Sequence, residues 1–105
     1  MSTLATEIKP ARADDVKVTD DALIVMLEDG RTLIVPLAWY PRLLYGTEEE
    51  RQNWRLIGKG EGIHWADLDE DISIEHLLAG IPSGESQKSL QQWLETRKQD
   101  LQKQR

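Results

Sequence analysis

The chain contains no cysteine and no phenylalanine, and only two histidines. Without cysteine there is no disulfide framework, no thiolate chemistry and no cysteine-ligated metal. No apolar run approaches the roughly 18 residues needed to cross a bilayer. The N-terminus MSTLATEIKPARADD also lacks the apolar core of a signal peptide. Positive charge is scarce as well: 13 Lys and Arg stand against 19 Asp and Glu, a net charge of −6. Nucleic-acid binders normally carry basic surface to neutralise phosphates, so direct DNA or RNA binding is not expected. These absences predict a soluble, cytoplasmic protein with no membrane association.

What is present suits one globular domain of 105 residues, 39% hydrophobic and 30% charged. The charge is uneven. Residues 1–84 hold 8 Lys/Arg against 16 Asp/Glu, whereas residues 85–105 hold 5 against 3. An acidic body with a mildly basic tail favours protein partners over DNA.

The clearest local signal is Ala22–Glu28, Asp29-Gly30, Arg31–Leu37. Asp-Gly suits a two-residue type I′ turn, which would set Glu28 opposite Arg31. In that register Leu23, Val25, Leu27 and Ile34 share one face, and Ile24, Met26, Leu33 and Val35 the other. Both faces are apolar, so both are expected to be covered, one by helices and the other by loops or by a second copy. Asp14–Thr19 reads as a preceding edge strand. Ala38–Tyr45 is expected to be helical, with Pro41 in its first turn and Gly46 ending it. Thr47 and Glu50 form a capping box that opens a helix running to about Leu56. A strand is expected around Ile63–Leu68, and a short helix capped by Ser73 and stopped by Gly80 and Pro82. Ser83 or Ser86 then caps a long helix with a thin apolar stripe, Leu90, Trp93, Leu94 and Leu101. The class is α+β: a small antiparallel sheet built on a β-hairpin, short helices, and a longer C-terminal helix. Residues 1–12 read as a tail, 13–82 as the α+β domain and 83–105 as the amphipathic helix.

The run WRLIGKGEGIHWADLDEDISIEHLL (54–78) is the most particular stretch, with five acids among residues 67–75. Asp67, Asp69 and Asp71 start like a calcium loop. Ile72 then stands where glycine is needed and Leu78 where a bidentate glutamate is needed, so a solvated turn before the Ser73 cap explains the acids better. His64 and His76 lack zinc spacing. His64 with Asp67 or Asp69 would make an acid–base pair, but no nucleophile accompanies it. Gly58, Gly60 and Gly62 lack the phosphate-loop pattern and read as a bend where backbones approach closely. No catalytic residue, metal or cofactor is expected.

The segments DGRTLIVPL, TEEERQNWRLIGKGEGIHWADLDEDISIEHLLAG and PSGESQKSLQQWL resemble the bacterial family catalogued as domain of unknown function 2442, over roughly residues 13–98. The shared motif places Gly60, Gly62, Ile63, His64, Trp65, Asp67, Asp69 and Asp71. The resemblance implies no established activity. It implies a small bacterial protein encoded beside another short one and labelled an antitoxin in some cases. Some relatives carry an added helix-turn-helix domain, for which this sequence has no counterpart. The resulting expectation is a non-enzymatic protein-interaction domain, antitoxin-like, that masks a basic partner with its acidic surface and C-terminal helix. It is expected to form a homodimer, with Leu90, Trp93, Leu94 and Leu101 as the interaction residues. The alternative is a small regulatory protein acting with nucleic acid through the basic tail. An enzyme using His64 and the acids is a third, weaker option.

Overall fold

The computed structural model describes residues 10–103, the last three by their helical backbone alone. The expected α+β class holds, with two three-stranded antiparallel sheets rather than one. The first is β1 (Ala13–Val18), β2 (Ala22–Leu27) and β3 (Thr32–Pro36) in sequential order. β1 carries a bulge between Ala13 and Asp15.

The β2–β3 turn differs from the two-residue form expected of Asp-Gly. Leu27 N–H donates to Arg31 O (2.8 Å) and Gly30 N–H to Leu27 O (3.1 Å), so residues 28–30 form a three-residue loop. Gly30 takes φ +96° there, the left-handed position that closes a type I turn through a bulge. Asp29 fixes the loop by accepting from the Arg31 amide at 3.0 Å and the Arg31 Nε at 2.8 Å. The expected Glu28–Arg31 pair is thereby replaced by Asp29–Arg31. The register becomes Leu23↔Val35, Ile24↔Ile34 and Val25↔Leu33. A one-residue slip exchanges the faces of a strand. Leu33 and Val35 therefore join Leu23, Val25 and Leu27 on the inner face, and Ile34 turns outward.

A single turn (Leu37–Trp39) follows, then α1 (Pro41–Leu44) with Pro41 at its first position, where its missing N–H costs nothing. α2 (Glu48–Gln52) starts with the expected capping box: Thr47 Oγ1 accepts from Glu50 N–H (3.1 Å), and Glu50 Oε1 accepts from Thr47 N–H (2.8 Å). It does not reach Leu56. The chain leaves the helix at Asn53, and Trp54–Ile57 becomes β4, edge strand of the second sheet. β4 pairs with β5 (Gly62–Trp65), which pairs with β6 (Glu70–Ser73). Glu70 and Asp71 of the acidic run are thus strand rather than turn. α3 (Ile74–Ala79) begins at Ser73, whose Oγ accepts from His76 N–H, and ends at Gly80 in the left-handed region. α4 (Gln87–Lys103) is capped by Ser86, whose Oγ accepts from Ser89 N–H at 3.1 Å.

The inner faces of the two sheets share one core. Leu23, Val25, Leu37, Leu43, Ile63, Trp65, Leu68 and Ile74 are fully buried within it. Buried apolar area at this scale supplies the main driving force for the fold.

Candidate functional site

The 58–78 run joins the two sheets. Gly60 lies so close to β1 that an added Cβ would stand 2.7 Å from Ala13 O. Ile63 and Trp65 point into the core, and Trp65 Nε1–H donates to Arg51 O at 2.9 Å. Gly62 faces the other way, where an added Cβ would stand 3.1 Å from the Ile57 side chain. Asp67 accepts from Asn53 Nδ2 (2.9 Å), and Asp69 takes φ +49° in the β5–β6 loop, 3.8 Å from Arg42. His64 meets neither of these acids. Its Nδ1 pairs with Asp71 across the β5–β6 ladder, where Arg55, His64 and Asp71 form one row. No hydroxyl nucleophile stands among the hydrogen-bond partners of His64 within the described residues. Among the described residues, no three His, Asp or Glu side chains converge to hold a metal.

A second cluster escaped sequence reasoning. Arg42 on α1 donates from Nε and Nη2 to Glu85 (3.0 and 2.6 Å) and from Nη1 to Leu68 O (3.2 Å). With Asp69, Glu70, Ser83, Gly84 and Ser89 it lines a cleft of about 330 Å³. Burial pushes the Glu70 carboxyl up to about 7, against the opposing pull of Arg42. The Arg42 pair holds Glu85 below the usual carboxylate range. Arg42, Glu70 and Glu85 lie 15 to 43 residues apart in the chain, so no local motif announces them.

The C-terminal stripe is engaged within the chain. Leu90 is buried, and Trp93 packs against the core between two guanidinium groups, Arg42 at 5.1 Å and Arg97 at 4.7 Å from its ring centroid. Arg97 also makes a bidentate pair with Glu50 (2.8 and 3.0 Å), which lowers the Glu50 pKa. Leu94 is half-buried, and the Leu101 side chain lies outside the described residues.

An apolar strip lies instead on the outer face of the first sheet. Ile24 and Met26 are half-buried there, and Ile34 on the β3 edge is 68% exposed. Neither loops nor helices among the described residues close over Ile34.

With this geometry in hand, the family profile described as "Protein of unknown function (DUF2442)" matches residues 13–83, more than half of the chain. The chain belongs to this family. The DUF2442 match takes in both sheets and α1 to α3 and stops short of α4. No curated protein matches the chain. Among solved structures, a protein of unknown function from Rhodospirillum rubrum is similar: 29% identity, TM-score 0.65, covering 73% of this chain and 95% of the other. An uncharacterised protein from Chromobacterium violaceum, solved by NMR, shares the fold at 20% identity and TM-score 0.61, covering 87% and 82%. No helix of the described residues is long and apolar enough to cross a membrane.

Proposed function

We propose that this DUF2442 chain is a non-enzymatic protein-interaction domain of the cytoplasm, acting as the antitoxin-like partner of a small basic protein. The observation that carries the reading is the outer face of the first sheet. Ile24, Met26 and Ile34 form an apolar strip, bordered by Asp15 and Lys17 on β1, whereas the helix residues Leu43, Ile74 and Leu77 join the core on the inner side. Apolar centres with charged rims are what protein partners bury. A net charge of −6 steers a basic partner toward this surface and speeds encounter.

The test is capture of partners from the host by the native chain and by Met26→Lys in parallel, followed by calorimetry with each purified candidate. The expected result is one small protein that binds the native chain stoichiometrically and the variant at least about 10-fold more weakly. Binding that is identical in the two chains would overturn the assignment to this face. Affinity for duplex DNA that falls steeply with salt would instead favour a nucleic-acid regulator working through the basic tail.

A further inference from the structure

The two sheets have four edges, and three of them are guarded. β1 carries Asp14, Asp15 and Lys17 and a bulge, β4 carries Arg55, and β6 carries Glu70 and Asp71. Charges and bulges on an edge are how sheets avoid pairing with other chains. β3 has neither: Thr32-Leu33-Ile34-Val35-Pro36 is uncharged throughout, and its central side chain is the most exposed large apolar residue among those described.

The hydrogen-bond parity of β3 adds a second, independent observation. Leu27 N–H bonds to Arg31 O, so bonded pairs on the β2 side alternate through Leu33 and Val35. The amides of Thr32 and Ile34 therefore point to the free edge, and among the described residues no backbone group receives them. Pro36, which has no N–H to offer, sits at the end of that same row.

We infer that β3 pairs with β3 of a second copy, antiparallel about a two-fold axis at Ile34, and joins the two first sheets into one of six strands. The sequence is self-complementary in this register. Ile34 faces its own copy on the outer side, Leu33 faces Val35 of the copy on the inner side, and Thr32 faces Pro36. About four backbone hydrogen bonds form: two between the Ile34 residues, and one from each Thr32 N–H to the opposite Pro36 carbonyl. Pro36 thus falls where only an acceptor is required. Charge selects this edge over the others. Two copies, each at −6, meet here without a single charged side chain in the seam, whereas self-pairing of β6 would set acids against acids. An isologous contact of this kind closes at two copies. A five-residue edge falls below the roughly 1,200 Å² of standard interfaces, so the dimer belongs to the weak, concentration-dependent class. The assembly needs only this chain, so its test is separate from that of a foreign partner.

The test uses the full chain in sedimentation equilibrium across an about 100-fold range of concentration, with residue-resolved amide exchange at both ends of the range. The expected result is a reversible shift from 12.0 kDa toward twice that mass. With it, protection of the Thr32 and Ile34 amides should rise with concentration, while Leu33 and Val35 stay protected throughout. Ile34→Lys should weaken the dimer by at least about 30-fold. Asp15→Lys, on the opposite edge, should leave it unchanged. A 12.0 kDa species at every concentration would overturn the inference, and so would a dimer in which the Ile34 amide exchanges as fast as in the monomer. Should Ile34→Lys fail to fold, the amide pattern of the native chain decides alone.

Discussion

Gly60 and Gly30 adopt nearly the same φ, +93° and +96°, one buried against β1 and the other exposed in a hairpin loop. A Cβ at Gly30 would meet nothing within 4 Å. At Gly60 it would meet Ala13 O at 2.7 Å, Ala13 N at 3.3 Å and Arg12 Cβ at 3.3 Å. Gly30→Ala therefore reports the conformational cost alone, about 1–2 kcal/mol. Gly60→Ala adds a collision with backbone that no side-chain rotation relieves, so β1 and the β4–β5 connection must separate. Overpacking of that sort costs about 1–3 kcal/mol more. The entropy that alanine removes from the unfolded chain is common to both variants and cancels in their difference. At about 4–8 °C per kcal/mol for a domain this small, Gly60→Ala should melt roughly 5–20 °C below Gly30→Ala. Urea titration followed by tryptophan fluorescence gives the same comparison as free energies, with Trp65 as the buried reporter. Equal destabilisation of the two variants, within about 0.5 kcal/mol, would refute the close approach of the two sheets at this point.

Three further outcomes are expected. Trp93→Ala should remove the ring held between Arg42 and Arg97, cost about 2 kcal/mol, and make the bond after Arg97 a faster trypsin site. Glu70, with its folded-state pKa near 7 against an ordinary 4.5, holds a proton that the unfolded chain releases, so this residue's contribution to stability falls as pH rises between those values. Glu70→Gln should match the native melting temperature near pH 4 and exceed it increasingly up to about pH 7; a constant gap would contradict the buried carboxyl. Calorimetry with calcium should show no micromolar site at Asp67, Asp69 and Asp71. Asn53, Arg42 and His64 already engage the three in turn, and their carboxylates belong to a loop and a strand rather than one cradle.

Caps and turns were legible in the sequence because their chemistry is local. Thr47 with Glu50, Ser73 before α3 and Gly30 at positive φ all stand where the residue types require. The Asp-Gly pair could not fix the loop length, since both two- and three-residue hairpins want glycine in the left-handed region. That single ambiguity put Ile34 on the wrong face. The capping box likewise fixed where α2 starts and was silent on its end. Trp54–Ile57 leave the helix because their pairing with Gly62–Trp65 outweighs local propensity. The acidic run hid β6 because strand pairing with β5 and the covering of Ile72 are long-range facts. The Arg42–Glu85–Glu70 cluster was illegible for the same reason, its members being distant in the chain. The spacing of Leu90, Trp93, Leu94 and Leu101 marks an apolar stripe on α4, but what these side chains touch is not a local property and could not be read from spacing.

Glu50 closes the α2 cap through Thr47 N–H and receives both Arg97 donors, so one carboxylate fastens two helices through residues 47 positions apart. Local opening is governed by such shared groups. When α4 lifts away, α2 keeps its cap but loses the guanidinium that neutralises it, beside Glu48 and Glu49. When the α2 cap frays, Arg97 loses its only carboxylate pair among the described residues. The segment outside the family match is therefore wired into the folding cooperativity of the segment inside it. Amide exchange should find the first turn of α2 and the middle of α4 coupled, each less protected in Arg97→Ala than in the native chain.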